Sequence, residues 1–119
     1  MRHFINLIES QDVKFVHQSG MNYKAAVGGE TVASFLIDKD AYEDAYCVHL
    51  VVSPEHRRKG VGDAIYDFVE AMAKESGRIL RPSRGLSEAS YRYWLKRDPT
   101  MVADFRKIGN DTWGNPKRA

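Results

Sequence analysis

A valine-rich run, Cys47–Val52, leads through Ser53-Pro54-Glu55 and a basic loop with two glycines directly into a long amphipathic stripe, and this junction limits the fold more than any other stretch of the chain. The run is short, continuous and apolar, as a strand buried in the middle of a sheet must be. Pro54 ends it, because proline cannot donate to a sheet ladder. From Val61 the period changes. Val61, Ala64, Ile65, Phe68, Val69, Met72 and Ala73 recur at helical spacing, and Gly77 follows as a C-cap. The stripe is a packing face, and it sets the helix N-terminus against the end of the strand.

The flanking segments fit a mixed α/β domain. Tyr23–Val27 and Thr31–Ile37 are β-leaning runs around Gly28-Gly29, a pair suited to the positive backbone angles of a hairpin turn. Asp38-Lys39-Asp40 closes that hairpin as a polar loop. Arg78-Ile79-Leu80-Arg81 is a short strand stopped by Pro82. Ser87 caps a second helix that runs to about Arg97 and ends at Asp98-Pro99. Residues 100–108, with Met101, Val102, Phe105 and Ile108, form a last strand or a helical turn. Residues 1–20 admit two readings: a short helix with Phe4, Ile5, Leu7 and Ile8 on one side, or an edge strand with Ile5 and Leu7 on one face. Residues 110–119, rich in Gly, Asn, Pro and Lys, are expected to fray. With no repeat and no linker, the 119 residues are expected to form one domain.

Composition removes several classes of function. Apolar residues make up 43% and charged residues 29%, an ordinary globular balance. The net charge of +2 leaves any attraction for nucleic acid to local clusters. Cys47 is the only cysteine, so no internal disulfide or thiolate-built zinc cluster is available, and no metal is expected. That cysteine usage fits a reducing cytoplasm. No apolar run approaches the ~18 residues of a membrane span, and the N-terminus lacks the long apolar region of a signal peptide.

The chemistry sits at the junction. A helix N-terminus carries unpaired N–H groups and partial positive charge, so it attracts anions. Gly60 and Gly62 let the backbone approach such an anion closely, and Arg57, Arg58 and Lys59 add long-range attraction. These features describe a pyrophosphate cradle. A Walker loop and a dinucleotide fingerprint each need glycines that are not here. Arg57, Gly60 and Gly62 instead match the signature Arg/Gln-x-x-Gly-x-Gly/Ala, and Leu50-Val51-Val52-Ser53-Pro54-Glu55 is similar to the strand-to-loop approach that precedes it. In both respects the stretch from about Tyr23 to Gly77 resembles the GNAT N-acetyltransferase superfamily, with a weaker tail to Arg97.

The resemblance implies a GNAT fold: a mixed, splayed central sheet flanked by helices, whose fourth strand parts from the fifth to admit the pantetheine arm of acetyl-CoA or another acyl-CoA. Main-chain groups of Leu50 and Val52 would hold that arm, and backbone amides from Arg58 through Lys59, Gly60 and Val61 to Gly62 would hold the pyrophosphate. It further implies direct transfer to a primary amine, with a tyrosine of the second helix protonating the leaving thiolate. Tyr91 and Tyr93 both lie there, and Trp94 is a third occupant for the acid's place. His49, which titrates near neutrality, is the candidate base; Glu43 and Asp44 are alternatives. His56 is expected to contact solvent or phosphate, and Cys47 to pack as a small hydrophobe.

Two features depart from the family's pattern. Asp63 follows the second glycine, where many members carry a hydroxyl or a cation, and fewer than about 25 residues precede the hairpin, where fuller members place helices that wall the acceptor site. An open acceptor side suits a small molecule or a protein surface, completion by a second subunit in a homodimer, or a catalytically silent member that works by contacting another macromolecule. The basic residues Arg78, Arg81, Arg84, Arg92, Lys96 and Arg97 could serve the 3′-phosphate of CoA, an acidic partner such as nucleic acid, or solvation alone.

Overall fold

The computed structural model describes residues 13–53 and 60–116. Contacts group the chain into two compact units, Met1–Leu80 and Arg81–Ala119.

The first unit is a five-stranded sheet in the order β1-β2-β3-β4-β5, formed by Val13–Ser19, Asn22–Val27, Glu30–Asp38, Ala45–Val52 and Ile79–Leu80. The first four strands are antiparallel; β5 runs parallel to β4. Gly28 (φ 59°) and Gly29 (φ 83°) form the two-residue loop of the β2–β3 hairpin, closed by the Val27–Glu30 pair. Positive φ at both positions matches the right-handed twist of the flanking strands. The Phe4–Ile8 cluster lies outside the described residues. The edge strand observed in this region is β1, in which half-buried Val13 and Phe15 alternate with exposed Lys14 and Val16.

Helix α1, Val61–Glu75, covers one face of the sheet. Its buried residues are Val61, Ile65, Tyr66, Val69 and Ala73. Phe68 is half-buried and stacks on Phe15 at 4.3 Å, while Tyr23 and Phe35 complete an aromatic cluster between helix and sheet. Such ring pairs add to the area they bury. The helix ends as its glycine requires: Gly77 N–H donates to Lys74 O and Arg78 N–H to Ala73 O, the two bonds of a Schellman motif.

The second unit contains helix α2, Glu88–Arg97, a 3-10 helix at Pro99–Val102, and a three-stranded sheet in the order β6-β8-β7. These strands are Gly85–Leu86, Thr112–Gly114 and Arg106–Gly109 respectively. The expectation of a frayed segment from residue 110 is corrected here: Thr112–Gly114 is the central strand, paired with Gly85–Leu86 on one side and Arg106–Gly109 on the other. Its glycine has a packing reason. A Cβ on Gly114 would stand 2.9 Å from Arg84 O and 3.0 Å from Ile108 Cδ1.

Candidate functional site

The direction of the β4 main chain follows from its register. Ser53 N–H donates to Val32 O at 3.0 Å, and the pairing continues through Ser34–Val51, Leu36–His49 and Asp38–Cys47. In an antiparallel ladder such pairs alternate with non-bonded ones, so the odd-numbered residues of β4 aim their peptide groups at β3. Val48, Leu50 and Val52 aim theirs at the opposite edge. β5 lines that edge at Ala45 and Tyr46, where Ile79 N–H donates to Asp44 O at 3.1 Å, and the described β4–β5 ladder stops there. Toward Val52 the two strands no longer pair.

Beyond the end of β4, α1 starts at Gly60, whose φ of 86° is left-handed and costly for any residue with a Cβ. Gly60 brings no side chain to cap the helix, and the first intrahelical bond runs from Ala64 N–H to Gly60 O at 3.1 Å. The peptide N–H groups of the first turn therefore point out of the helix end. A Cβ on Gly62 would meet nothing within 4 Å, so the glycine leaves open space beside that turn. Asp63 is exposed and lies on the flank facing β1, where it lines a cavity of about 400 Å³ with Phe15, Gly60, Ala64, Asp67 and Phe68. Arg57, Arg58 and Lys59, like His56, lie outside the described residues.

His49 is exposed and sits on the sheet face opposite the side chain of Leu50. Its Nε2 is 3.5 Å from Asp38 Oδ2. Asp38, expected in a polar loop, is the last residue of β3 and stands opposite Cys47. Its Oδ1 accepts from Asp40 N–H at 2.9 Å and Ala41 N–H at 3.1 Å. The Asp40 amide is the main cause that holds this carboxyl below its ordinary value, with His49 and Ala41 helping against partial burial. Glu43 and Asp44 fall in the loop before β4.

In the second unit, Ser87 caps α2 as its sequence predicts. Its hydroxyl accepts from Ser90 N–H at 3.2 Å, and Asp111 accepts from Glu88 N–H at 2.9 Å. Tyr91 stacks on Trp113 with centroids 3.9 Å apart and planes 3° from parallel. Trp94 is buried. Tyr93 is half-buried, and its hydroxyl oxygen accepts from Arg97 Nη1 at 2.8 Å. The basic region is partly engaged within each unit. Arg78 donates to Lys39 O and lies over the Tyr46 ring, and Arg92 pairs with Glu88. Among the described residues, no helix is long and apolar enough to cross a membrane.

Comparison with known proteins agrees with this geometry. The model of the Acetyltransferase (GNAT) family matches residues 5–97. Among solved structures, Ard1 from Thermoplasma volcanium aligns with a TM-score of 0.55 at 18% identity, covering 75% of this chain and 57% of that one. A GNAT-family acetyltransferase from Bacillus anthracis aligns at 0.53 and 18%, covering 79% and 61%. The ribosomal-protein-S18-alanine N-acetyltransferase from Escherichia coli aligns at 0.52 and 14%, covering 86% and 70%. The chain thus spans less than two-thirds of the first two. A search of curated proteins returns no match. A splayed strand pair that opens toward a glycine-led helix, with a family match over most of the chain, leads to one conclusion: this chain belongs to the acetyltransferase (GNAT) family.

Proposed function

We propose that the chain is an acetyl-CoA-dependent N-acetyltransferase acting on a primary amine in the cytoplasm. The observation that carries this reading is the β4 edge, which turns the main-chain groups of Leu50 and Val52 toward the side where β5 has ended and leads to the helix start at Gly60. An extended pantetheine arm would add to that edge as a strand does, through main-chain hydrogen bonds. Backbone amides from Arg58 to Gly62 would receive the pyrophosphate, with Arg57, Arg58 and Lys59 drawing it in. Asp63 lines one cavity with Phe15 and Gly60, so its carboxylate stands near the helix start that would receive the anion.

In the reaction, the amine attacks the thioester carbonyl, and the thiolate of CoA leaves with a proton. Positioning supplies much of the rate. Tyr93 is the preferred donor of that proton, because the Arg97 guanidinium stabilises the charge that develops on its oxygen. Tyr91 has one ring face covered by Trp113. His49, beside Asp38, is the candidate acceptor of the amine proton in the metal-free chain, where its imidazole lone pair is unligated. Small amines and protein amino groups are both candidate acceptors, and a homodimer is a candidate assembly.

The test is thiol release from acetyl-CoA across a panel of small amines and peptides. Tyr93→Phe should lower kcat by about 10²–10⁴-fold while leaving acetyl-CoA affinity unchanged, and Tyr91→Phe should keep most of the activity. A Tyr93→Phe protein with parental kcat would contradict the assignment of the acid.

A further inference from the structure

The face of β3 and β4 that carries His49 brings three metal-binding side chains together. Asp38 is the last residue of β3, and Cys47 stands directly opposite it. His49, two residues further along β4, shares the face of Cys47 because strand side chains alternate. The carboxylate oxygen, the thiol sulfur and an imidazole nitrogen all lie within 4.8 Å of one another. The arrangement is graded in depth: Cys47 is fully buried, Asp38 partly exposed, and the His49 side chain 50% exposed. We infer that Asp38, Cys47 and His49 form a three-ligand site for a zinc-like divalent cation, open to solvent on the His49 side.

The donor set selects the class of ion. Calcium and magnesium take oxygen ligands almost exclusively, whereas a thiolate and an imidazole suit zinc and cobalt. Tetrahedral bonds of about 2.0–2.3 Å place neighbouring ligand atoms roughly 3.5 Å apart. The Asp38–His49 separation of 3.5 Å already meets that spacing. The Cys47 sulfur lies within 4.8 Å of both and would move toward them on binding. The Asp38 carboxylate is already oriented, since its other oxygen is held by the Asp40 and Ala41 amides, and partners of this kind tune ligands in known sites. Binding would break the Cys47 S–H bond, release that proton to solvent and leave a thiolate on the ion. A water would fill the fourth position on the exposed side. One cysteine cannot build a thiolate cluster, which is why the sequence alone points to no metal. A mixed set drawn from two strands is a different matter, and it depends on the β3–β4 register.

The experiment titrates the full-length, metal-free protein with Co²⁺, followed by displacement with Zn²⁺. The expected result is one equivalent of cobalt, tetrahedral visible bands, and a thiolate-to-cobalt charge-transfer band in the near ultraviolet that zinc removes. Cys47→Ser should lose the charge-transfer band. His49→Ala and Asp38→Asn should each weaken cobalt binding at least about tenfold. Because Cys47 is buried, its variant could misfold, and the half-exposed His49 gives the independent check, with circular-dichroism melting confirming that each variant is folded. Absence of saturable one-to-one uptake would overturn the site, as would cobalt binding without the charge-transfer band or undiminished affinity in folded His49→Ala.

Discussion

The two long helices begin in opposite ways. At the start of helix α2 side chains close the N-terminus: the Ser87 hydroxyl takes the Ser90 amide and Asp111 takes the Glu88 amide. Helix α1 begins on Gly60, which has no side chain to offer and holds a backbone angle that suits glycine. A helix start closed by its own residues serves stability. One left to its peptide groups, at the end of a strand whose outer edge has lost its neighbour, leaves the anion to come from elsewhere. The difference separates a helix end closed by side chains from the one proposed to bind, and it can be tested by swapping the properties of the two.

The largest effect should come from Gly60→Val. A β-branched side chain in the left-handed region costs of the order of 1–3 kcal/mol, and its Cβ would also stand where the pyrophosphate is to approach. The variant should lose the stabilisation that acetyl-CoA gives the parent, about 2.7 kcal/mol at a hundredfold excess over Kd, as read by ligand-dependent thermal unfolding. A variant that keeps the full ligand shift would erase the contrast between the helix starts.

Ser87→Ala should do the reverse. Loss of a serine cap costs about 1 kcal/mol of stability, seen as a lower Tm, with no change in acetyl-CoA affinity. Altered affinity would mean that the α2 terminus also takes part in binding.

Gly62→Ala is the smallest and most discriminating change. A Cβ there meets nothing in the protein, so the apo form should gain about 0.4–1 kcal/mol from a less flexible unfolded chain. Acetyl-CoA affinity, measured by calorimetry, should change little, because the signature itself accepts alanine at this place and the added methyl meets open space. A large loss of affinity would mean that the phosphates press on Gly62 more closely than the signature implies.

Those features that depend on nearby residues were legible in the sequence. The Gly28-Gly29 hairpin, the Cys47–Val52 strand, the Val61–Ala73 stripe with its Gly77 stop, and the Ser87 cap each carry their chemistry within a few positions. The junction proposed to bind acyl-CoA stands out in the sequence for the same reason: strand end, proline, glycines and helix start follow one another directly. What escaped reading depends on pairing between distant segments. Val13–Ser19 mixes Lys, His and Gln with its apolar residues, although Val13 and Phe15 do show a two-residue period. The strand Thr112–Gly114 lies in a stretch whose Gly, Asn and Pro content suggests a loose end, and its pairing with Gly85–Leu86 spans a long stretch of chain. Asp38 was read as loop because its meeting with Cys47 and His49 is a matter of register, which the loop before β4 does not reveal.

Whether the end of β4 and the start of α1 form an acyl-CoA site is decided by calorimetric titration of the parent protein with acetyl-CoA and with CoA. Saturable one-to-one binding of both, accompanied by a rise in Tm, is the result predicted. Absence of heat and of any Tm shift at millimolar acetyl-CoA would contradict it.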